Sequence, residues 1–331
     1  MTLEEQICAK ARELLESGEA EVVVGFAAGT MPLTVRPAFI RDPADTSRLT
    51  WNRLCTPALA RYVQEYIRDR RNRRDYDVAK TKKVAVVVSP CDERALVAYM
   101  KENQFTRADI YVIGVNCAVP LIDRKKVLDK VGVYSVRNAR IDGDKVIVLT
   151  TAGSEVQLPA ADFVENICAV CTRRSIISAD ATLGTAAIPG KASDRFGRVR
   201  EQESRAPDER WNWLREEFSR CIRCYACRQA CPVCYCEECF ADQRNPSWIG
   251  PATAEEDILA FHIVRCFHTA GRCVECGACE RACPMDIHVR VLSDKLVKEV
   301  VEKFDYEVDA ALDAKPPLST YKPDDPNEGF M

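Results

Sequence analysis

The chemistry in this chain is concentrated in its cysteines, 18 of them in 331 residues. Two copies of one pattern stand out: Cys221-x2-Cys224-x2-Cys227-x3-Cys231-Pro232 and Cys273-x2-Cys276-x2-Cys279-x3-Cys283-Pro284. Three thiolates at this spacing wrap a turn of backbone around one corner of a cubane, with N–H groups aimed at its sulfides. The fourth cysteine is carried away by the chain and reaches the neighbouring cluster. The spacing therefore predicts two 4Fe–4S clusters with crossed ligands. Cys221, Cys224, Cys227 and Cys283 would hold the first, and Cys273, Cys276, Cys279 and Cys231 the second. Structural zinc, the plainer alternative, uses paired C-x2-C knuckles and not a run of four followed by proline.

Four more cysteines lie between the motifs: Cys234, Cys236, Cys239 and Cys266. Cys234-Tyr-Cys236-Glu-Glu-Cys239 is dense enough for a further metal site but matches no standard spacing. The alternative is small buried residues packing around the clusters. Earlier in the chain, Cys91 and Cys117 each fall just past an expected parallel strand, at the end where α/β sheets place their sites. Cys168-x2-Cys171 adds a pair, and Cys55 sits on a loop before a helix. Cys91, Cys117, Cys168 and Cys171 make a candidate third cluster, with Cys55 able to replace one of them, against the reading of four buried thiols. Cys8, on the opening helix, is read as packing. His262, His268 and His288 are read as packing or surface residues, since eight motif thiols already complete both clusters. Tyr225 and Tyr235 are placed to shield a cluster from water and so tune its potential.

The elements that must position these residues are legible along the chain. Thr2 and Glu5 form a capping box for a helix whose apolar face is Leu3, Ile7, Ala11, Leu14 and Leu15, ended by Gly18. Glu21 to Phe26 and Thr34 to Ile40 read as strands, and Pro57 as the start of a helix running to about Arg70. Val84 to Val88 and Ile110 to Ile113 are buried strands by composition, joined by a helix from Asp92 to Asn103, so they should lie parallel. A helix from Leu121 to Val131 and a strand from Lys145 to Thr150 extend this domain. Gly184 to Gly197 reads as a boundary loop. Helices follow at Trp211–Arg220, Thr253–Thr269 and Asp294–Phe304. Residues 1–200 are thus expected to form one domain and 211–305 another. The 306–331 tail, proline-rich and polar from Pro316, is expected to be extended and to lie on another subunit or hang free.

Composition narrows the function. The apolar fraction is 47%, the charged fraction 29% and the net charge −3. That is ordinary for a soluble globular chain, and the mixed charges argue against a nucleic-acid surface. No apolar run approaches a membrane span. The acidic start reads as lacking a signal peptide, so a cytoplasmic, reducing location and free thiols are expected. The basic run Arg68 to Arg74 reads as a solvated helix end. No Ser–His–Asp set, paired-carboxylate site or G-x-G-x-x-G fingerprint is present, so any flavin site is not Rossmann-type.

Residues 80–190 or so resemble the β subunit of coenzyme F420-reducing hydrogenases and formate dehydrogenases. The matching features are Val86-Val87-Val88-Ser89-Pro90-Cys91, Ile113-Gly114-Val115-Asn116-Cys117, Cys168-x2-Cys171 and Ser178-Ala179-Asp180-Ala181-Thr182-Leu183-Gly184. The whole chain is also similar to bacterial relatives whose two-cluster, ferredoxin-like segment is C-terminal. Those relatives accompany formate dehydrogenase or heterodisulfide reductase-like subunits. The resemblance implies a fold: an α/β N-terminal domain with a parallel sheet, then a small α-helical dicluster domain. It implies FAD beside a third 4Fe–4S cluster held by Cys91, Cys117, Cys168 and Cys171. Arg173 or Arg174 would pair with the diphosphate, and the loop carrying Asp180 and Gly184 would approach the cofactor. The implied role is an electron-transfer subunit between a two-electron donor and one-electron partners, with a formate dehydrogenase or hydrogenase-type catalytic subunit, a heterodisulfide reductase-like subunit or ferredoxin as partners. Two other readings fit the residues: a carrier with clusters and no flavin, and a self-sufficient oxidoreductase of a small substrate.

Overall fold

The computed structural model describes residues 1–56, 58–74, 76–77, 81–187, 194–308 and 312–317. Helix α1 (Leu3–Glu16) opens the chain, and the Thr2–Glu5 capping box closes both orphan donors at its start. Strands β1 (Ala20–Ala28), β2 (Val35–Ile40) and β3 (Leu49–Thr50) follow, then α2 (Leu59–Arg71). Pro57 and the tail beyond residue 317 lie outside the described residues, as does part of the loop between Gly184 and Gly197. Strand β4 (Lys83–Val88), helix α3 (Pro90–Lys101) and strand β5 (Ile110–Val115) form the expected unit, and β4 pairs parallel with both β1 and β5.

The sheet order is β2-β1-β4-β5 and then β9 (Ala181–Leu183), which pairs parallel with β5; β2 and β3 run antiparallel to β1. Ile7, Ala11 and Leu14 of α1 pack on one face against Val23, Ala85, Val87 and Ile113. Helices α2 and α3 cover the other face, placing Leu59, Val63, Ile67, Leu96 and Tyr99 on Val22, Val84, Val86 and Val112. A valine-rich strand buried on both sides is what a parallel sheet between helices requires.

The strand from Lys145 to Thr150 does form, but it does not extend this sheet. Between α4 (Arg124–Val131) and α5 (Asn166–Val170), strands β6 (Val136–Asp142), β7 (Lys145–Thr150) and β8 (Glu155–Pro159) make a separate antiparallel meander. The turn at Gly143 reverses the chain immediately, so β7 pairs with its neighbour instead of crossing to the sheet.

The rest of the chain is helical: α6 (Gly197–Glu203), α7 (Pro207–Ser219), α8 (Ala226–Gln229), α9 (Glu255–His268), α10 (Ala278–Arg281) and α11 (Arg290–Phe304). One apolar core joins it to the sheet, with Val233, Val274, Cys276, Ala278 and Val300 packed in the same cluster as Val86 and Tyr99. Polar ties cross the same boundary. The Tyr99 hydroxyl donates to the Pro232 carbonyl, and Arg94 Nη2 to the Val274 carbonyl at 3.2 Å. Among the described residues no helix is long and apolar enough to cross a membrane.

Candidate metal centres

The carboxyl ends of β4 and β5 build the first site. Ser89 caps α3, which puts Cys91 in that helix's first turn, and Cys117 follows β5 by two residues. The later segment carrying Cys168 and Cys171 is pulled across both ends by backbone bonds. The Cys117 N–H donates to the Arg174 carbonyl at 2.9 Å, and the Ile176 N–H to Asn116 Oδ1 at 2.9 Å. Buried Glu93 clamps the next turn by accepting from the N–H groups of Ile177 at 3.0 Å and Ser178 at 2.5 Å. Gly114 makes the approach possible, since a Cβ there would stand 2.6 Å from Ile176 Cγ2. Asp92 ties the same turn to α2, accepting from the Ala60 N–H at 3.3 Å where α2 has no local side-chain cap. Burial pushes its carboxyl up to about 7.

Cys91, Cys117, Cys168 and Cys171 therefore line one cavity of about 180 Å³, together with Cys55, Arg173, Arg174 and Cys276 of the second motif. Burial, reinforced by neighbouring thiols, pushes Cys91 and Cys117 up and takes Cys168 to about 12. Cys55 is pushed to about 12 by burial, and its sulfur accepts from the Asn52 N–H at 3.3 Å. Cations answer this sulfur: Arg94 is buried with Nη2 at 3.4 Å from Cys91 Sγ.

The two repeated motifs share one backbone shape. Arg223 and Tyr225 in the first, and Glu275 and Gly277 in the second, all have positive φ, and a short helix follows each pair. The chain thus turns twice through the left-handed region around each set of three thiols. Cys221, Cys224, Cys227 and Cys283 line one pocket with Tyr225, Phe261 and His262. Cys273, Cys276 and Cys279 each feel the charge of Cys231, with burial the main force raising all three. Among the described residues no three cysteine, histidine or carboxylate groups converge on a point fit for a single metal ion. The thiols surround spaces instead.

Of the cysteines between the motifs, Cys234, Cys236 and Cys239 share a cavity of about 280 Å³ with Tyr235, Arg228, Arg265 and Arg272. Cys266 stands apart, buried on α9 with its sulfur 3.5 Å from Ser293 Oγ on α11. Cys234 donates to Cys231, and this bond, with Arg265 beside it, draws Cys231 below the ordinary thiol range despite burial. Cys8 is engaged with the Leu49 carbonyl at 3.9 Å.

Of the residues expected around a flavin, Arg173 and Arg174 line the sheet-end cavity, and Asp180 and Gly184 lie outside its wall. Arg173 pairs with Glu275 and Glu307, and Arg174 donates to the carbonyls of Cys168 and Cys171. Asp180 pairs with Arg107 at 2.7 Å and accepts from the Val112 N–H at 2.6 Å, which fastens β9 to β5. The Ala179–Gly184 segment is thus largely an edge strand, with Gly184 lying against Leu3. A larger cavity of about 760 Å³ opens elsewhere, between α4, α5 and the second motif. Thr34, Thr56, Arg124, Lys125, Lys126 and Arg281 are on its wall, and Gly277, Ala278 and Ala282 carry it to the cysteine loop.

Two side chains on α9 join the sites: His262, expected to be a packing or surface residue, and Arg265, which no sequence motif singled out. His262 is buried with Nε2 3.4 Å from Cys221 Sγ, and burial pushes it down to about 3, so it is a neutral neighbour of that sulfur. Arg265 is buried among thiols. Their signal was spacing: Ile258, His262 and Arg265 fall on one helical stripe with Phe261 and Cys266. A charge on an apolar stripe is the informative exception, because lone charges are rarely buried without a partner.

Over residues 81–214 the chain matches the family described as the carboxyl-terminal part of the coenzyme F420 hydrogenase/dehydrogenase beta subunit. The matched β-subunit region holds all four thiols of the sheet-end cavity. The F420-dependent formate dehydrogenase 1 subunit beta of Methanococcus maripaludis is 26% identical, over 92% of this chain and 90% of that protein. The F420-dependent formate dehydrogenase subunit beta of Methanocaldococcus jannaschii is 24% identical over 85% of each. A solved F420-reducing nickel–iron hydrogenase complex from Methanosarcina barkeri covers 51% of this chain and 59% of its own, with 17% identity and a TM-score of 0.37, too faint a likeness to bear on the site.

Proposed function

We propose that this chain is the electron-transfer subunit of an oxidoreductase complex, passing electrons between a two-electron partner and one-electron carriers. It would hold three 4Fe–4S clusters: one at Cys91, Cys117, Cys168 and Cys171 beside the α/β sheet, and two crossed ones in a ferredoxin-like C-terminal part. The observation that carries this reading is the shared wall at Cys276. A thiol of the second motif lines the same cavity as the four thiols at the sheet ends. From there sulfur continues through Cys231 to the first motif, where Cys224 is exposed beside Ile222, itself 54% exposed. Such an order suits relay from an inner site to a docked partner. The donor set fits clusters: thiols surrounding spaces, with buried arginines facing them, suit a polynuclear anion better than one zinc ion.

A flavin completes the reading. Its chemistry is to take electrons in pairs and release them singly. The cavity of about 760 Å³ offers it more room than the sheet-end cavity of about 180 Å³ that Arg173 and Arg174 line. Arg124, Lys125 and Lys126 would meet a diphosphate there, and the second cysteine loop borders it. The formate dehydrogenase relatives favour a formate- or hydrogen-oxidising catalytic subunit as one partner. A heterodisulfide reductase-like subunit or ferredoxin is the partner on the other side. Iron, acid-labile sulfide and flavin analysis of anaerobically purified protein tests the proposal. About twelve irons and one flavin per chain are expected, and Cys168→Ala should remove about a third of the iron. Full iron with no releasable yellow chromophore would select the carrier without flavin. Stoichiometric zinc without sulfide would overturn the reading.

A further inference from the structure

The inserted helix α9 carries a buried guanidinium that pairs with no carboxylate among the described residues. Arg265 is 4% exposed. Its Nη2 donates to the Cys227 carbonyl at 3.1 Å. Its Nε and Nη1 are buried and have no hydrogen-bond partner among the described residues. Leaving a charged group so placed costs several kcal/mol unless an anion answers it. It shares a cavity wall with Cys234, Cys236 and Cys239, and the thiols whose charge acts on it are Cys231, Cys234, Cys279 and Cys227. Cys227 belongs to the first motif, Cys279 to the second, and Cys231 crosses between them. The side chain therefore stands where the two centres meet, with two N–H donors free to point at one of them.

We infer that Arg265 is a positioning residue for electron transfer, a fixed cation that favours reduction of the centre built on Cys231, Cys273, Cys276 and Cys279. The inference rests on the cluster reading above and goes beyond it. A cluster gains one negative charge on reduction, so a nearby buried cation stabilises the reduced form more than the oxidised one. Donation of Nε–H and Nη1–H to sulfur acts in the same direction, because hydrogen bonds to cluster sulfur are among the terms that set potential. Arg94, at Cys91, serves the sheet-end cavity, so the effect of Arg265 is local to the C-terminal pair.

The test is a redox titration followed by electron paramagnetic resonance on full-length protein, comparing wild type with Arg265→Gln and Arg265→Lys. At a fixed ambient potential the reduced-to-oxidised ratio of the centre built on Cys231, Cys273, Cys276 and Cys279 should fall about tenfold in the Gln protein, and a shift confined to the other C-terminal centre would overturn the inference. That corresponds to about 59 mV for a one-electron couple. The Lys protein, which keeps the charge, should stay within about threefold of wild type by the same relation. A Gln protein with full iron and unshifted midpoints overturns the inference. Should the Gln protein lose iron, a Lys protein that keeps it supports the charge argument, and one that loses as much overturns it. Wild-type protein without acid-labile sulfide would instead sink the cluster reading itself.

Discussion

Glu93 offers the sharpest test of how the sheet end holds its sulfur. Its carboxylate is 3% exposed and accepts from the N–H groups of Ile177 and Ser178. Oε1 accepts from both N–H groups, and Oε2 stands 3.1 Å from the Ile177 N–H. Glu93→Gln keeps the volume and one oxygen for both donors but loses the charge and the second acceptor. The local cost is that of one charge-assisted bond, about 1.5–3 kcal/mol. At tenfold per 1.4 kcal/mol, opening of the Arg174–Asp180 turn should rise roughly 10- to 100-fold. Hydrogen exchange read by mass spectrometry on that peptide measures it directly. Because the same turn carries the Cys117–Arg174 and Asn116–Ile176 bonds, Cys168 and Cys171 should lose their registration, and with them about a third of the iron. Wild-type protection of the Ile177 and Ser178 amides would refute the clamp. Lost protection with full iron would refute the link from clamp to site.

Cys283→Ala should damage the centre lined by Cys221, Cys224 and Cys227, although Cys283 belongs to the other motif; a spectrum that loses only the centre of Cys273, Cys276 and Cys279 would contradict the crossing. Gly277→Ala should destabilise by roughly 1–2 kcal/mol, since φ is +73° and the new Cβ would meet Arg281 Nη1 and Ile167 Cγ2 at 3.0 Å; thermal unfolding with matched iron content reads it. Burial pushes the Glu165 carboxyl up to about 7 from an ordinary 4.5, with Arg281 opposing. The folded state then binds the proton more tightly, so stability falls as pH rises from 4.5 toward 7. Glu165→Gln should be neutral near pH 4.5 and more stable than wild type above pH 7, by up to roughly 3 kcal/mol; melting temperatures that differ equally at both ends would contradict the assignment.

Much of this was legible because the signals were local. The Thr2 capping box, the valine runs of β4 and β5 and the cysteine spacing each depend on residues a few places apart. What was not legible depended on distant partners. Strand β6 buries no residue fully, so its sequence carries little apolar signal, and only pairing with β7 makes it a strand. Strand β9 has three residues and exists because Gly114 lets its segment lie on β5. The Asp180 element reads as a cofactor loop only through the family resemblance; its carboxylate accepts from the Val112 N–H and pairs with Arg107, contacts no local pattern announces. Arg265 and His262 were hidden by a plain rule, that charged and imidazole side chains on a helix usually face water. The sulfur that they face is supplied from sequence-distant loops.

The interleaving of Cys231 and Cys283 has a consequence for how the protein matures. Each C-terminal pocket borrows one wall from the other motif, and α9 must fold between them before either is closed. A nascent chain that has exposed only the first motif therefore offers three of its pocket's four thiols and no finished cradle. On the proposed cluster reading, loading is cooperative: with iron and sulfide scarce, chains should divide into empty and doubly filled populations, and singly filled ones should be scarce. Supply of iron would then set how many molecules work, while leaving the quality of each working molecule unchanged.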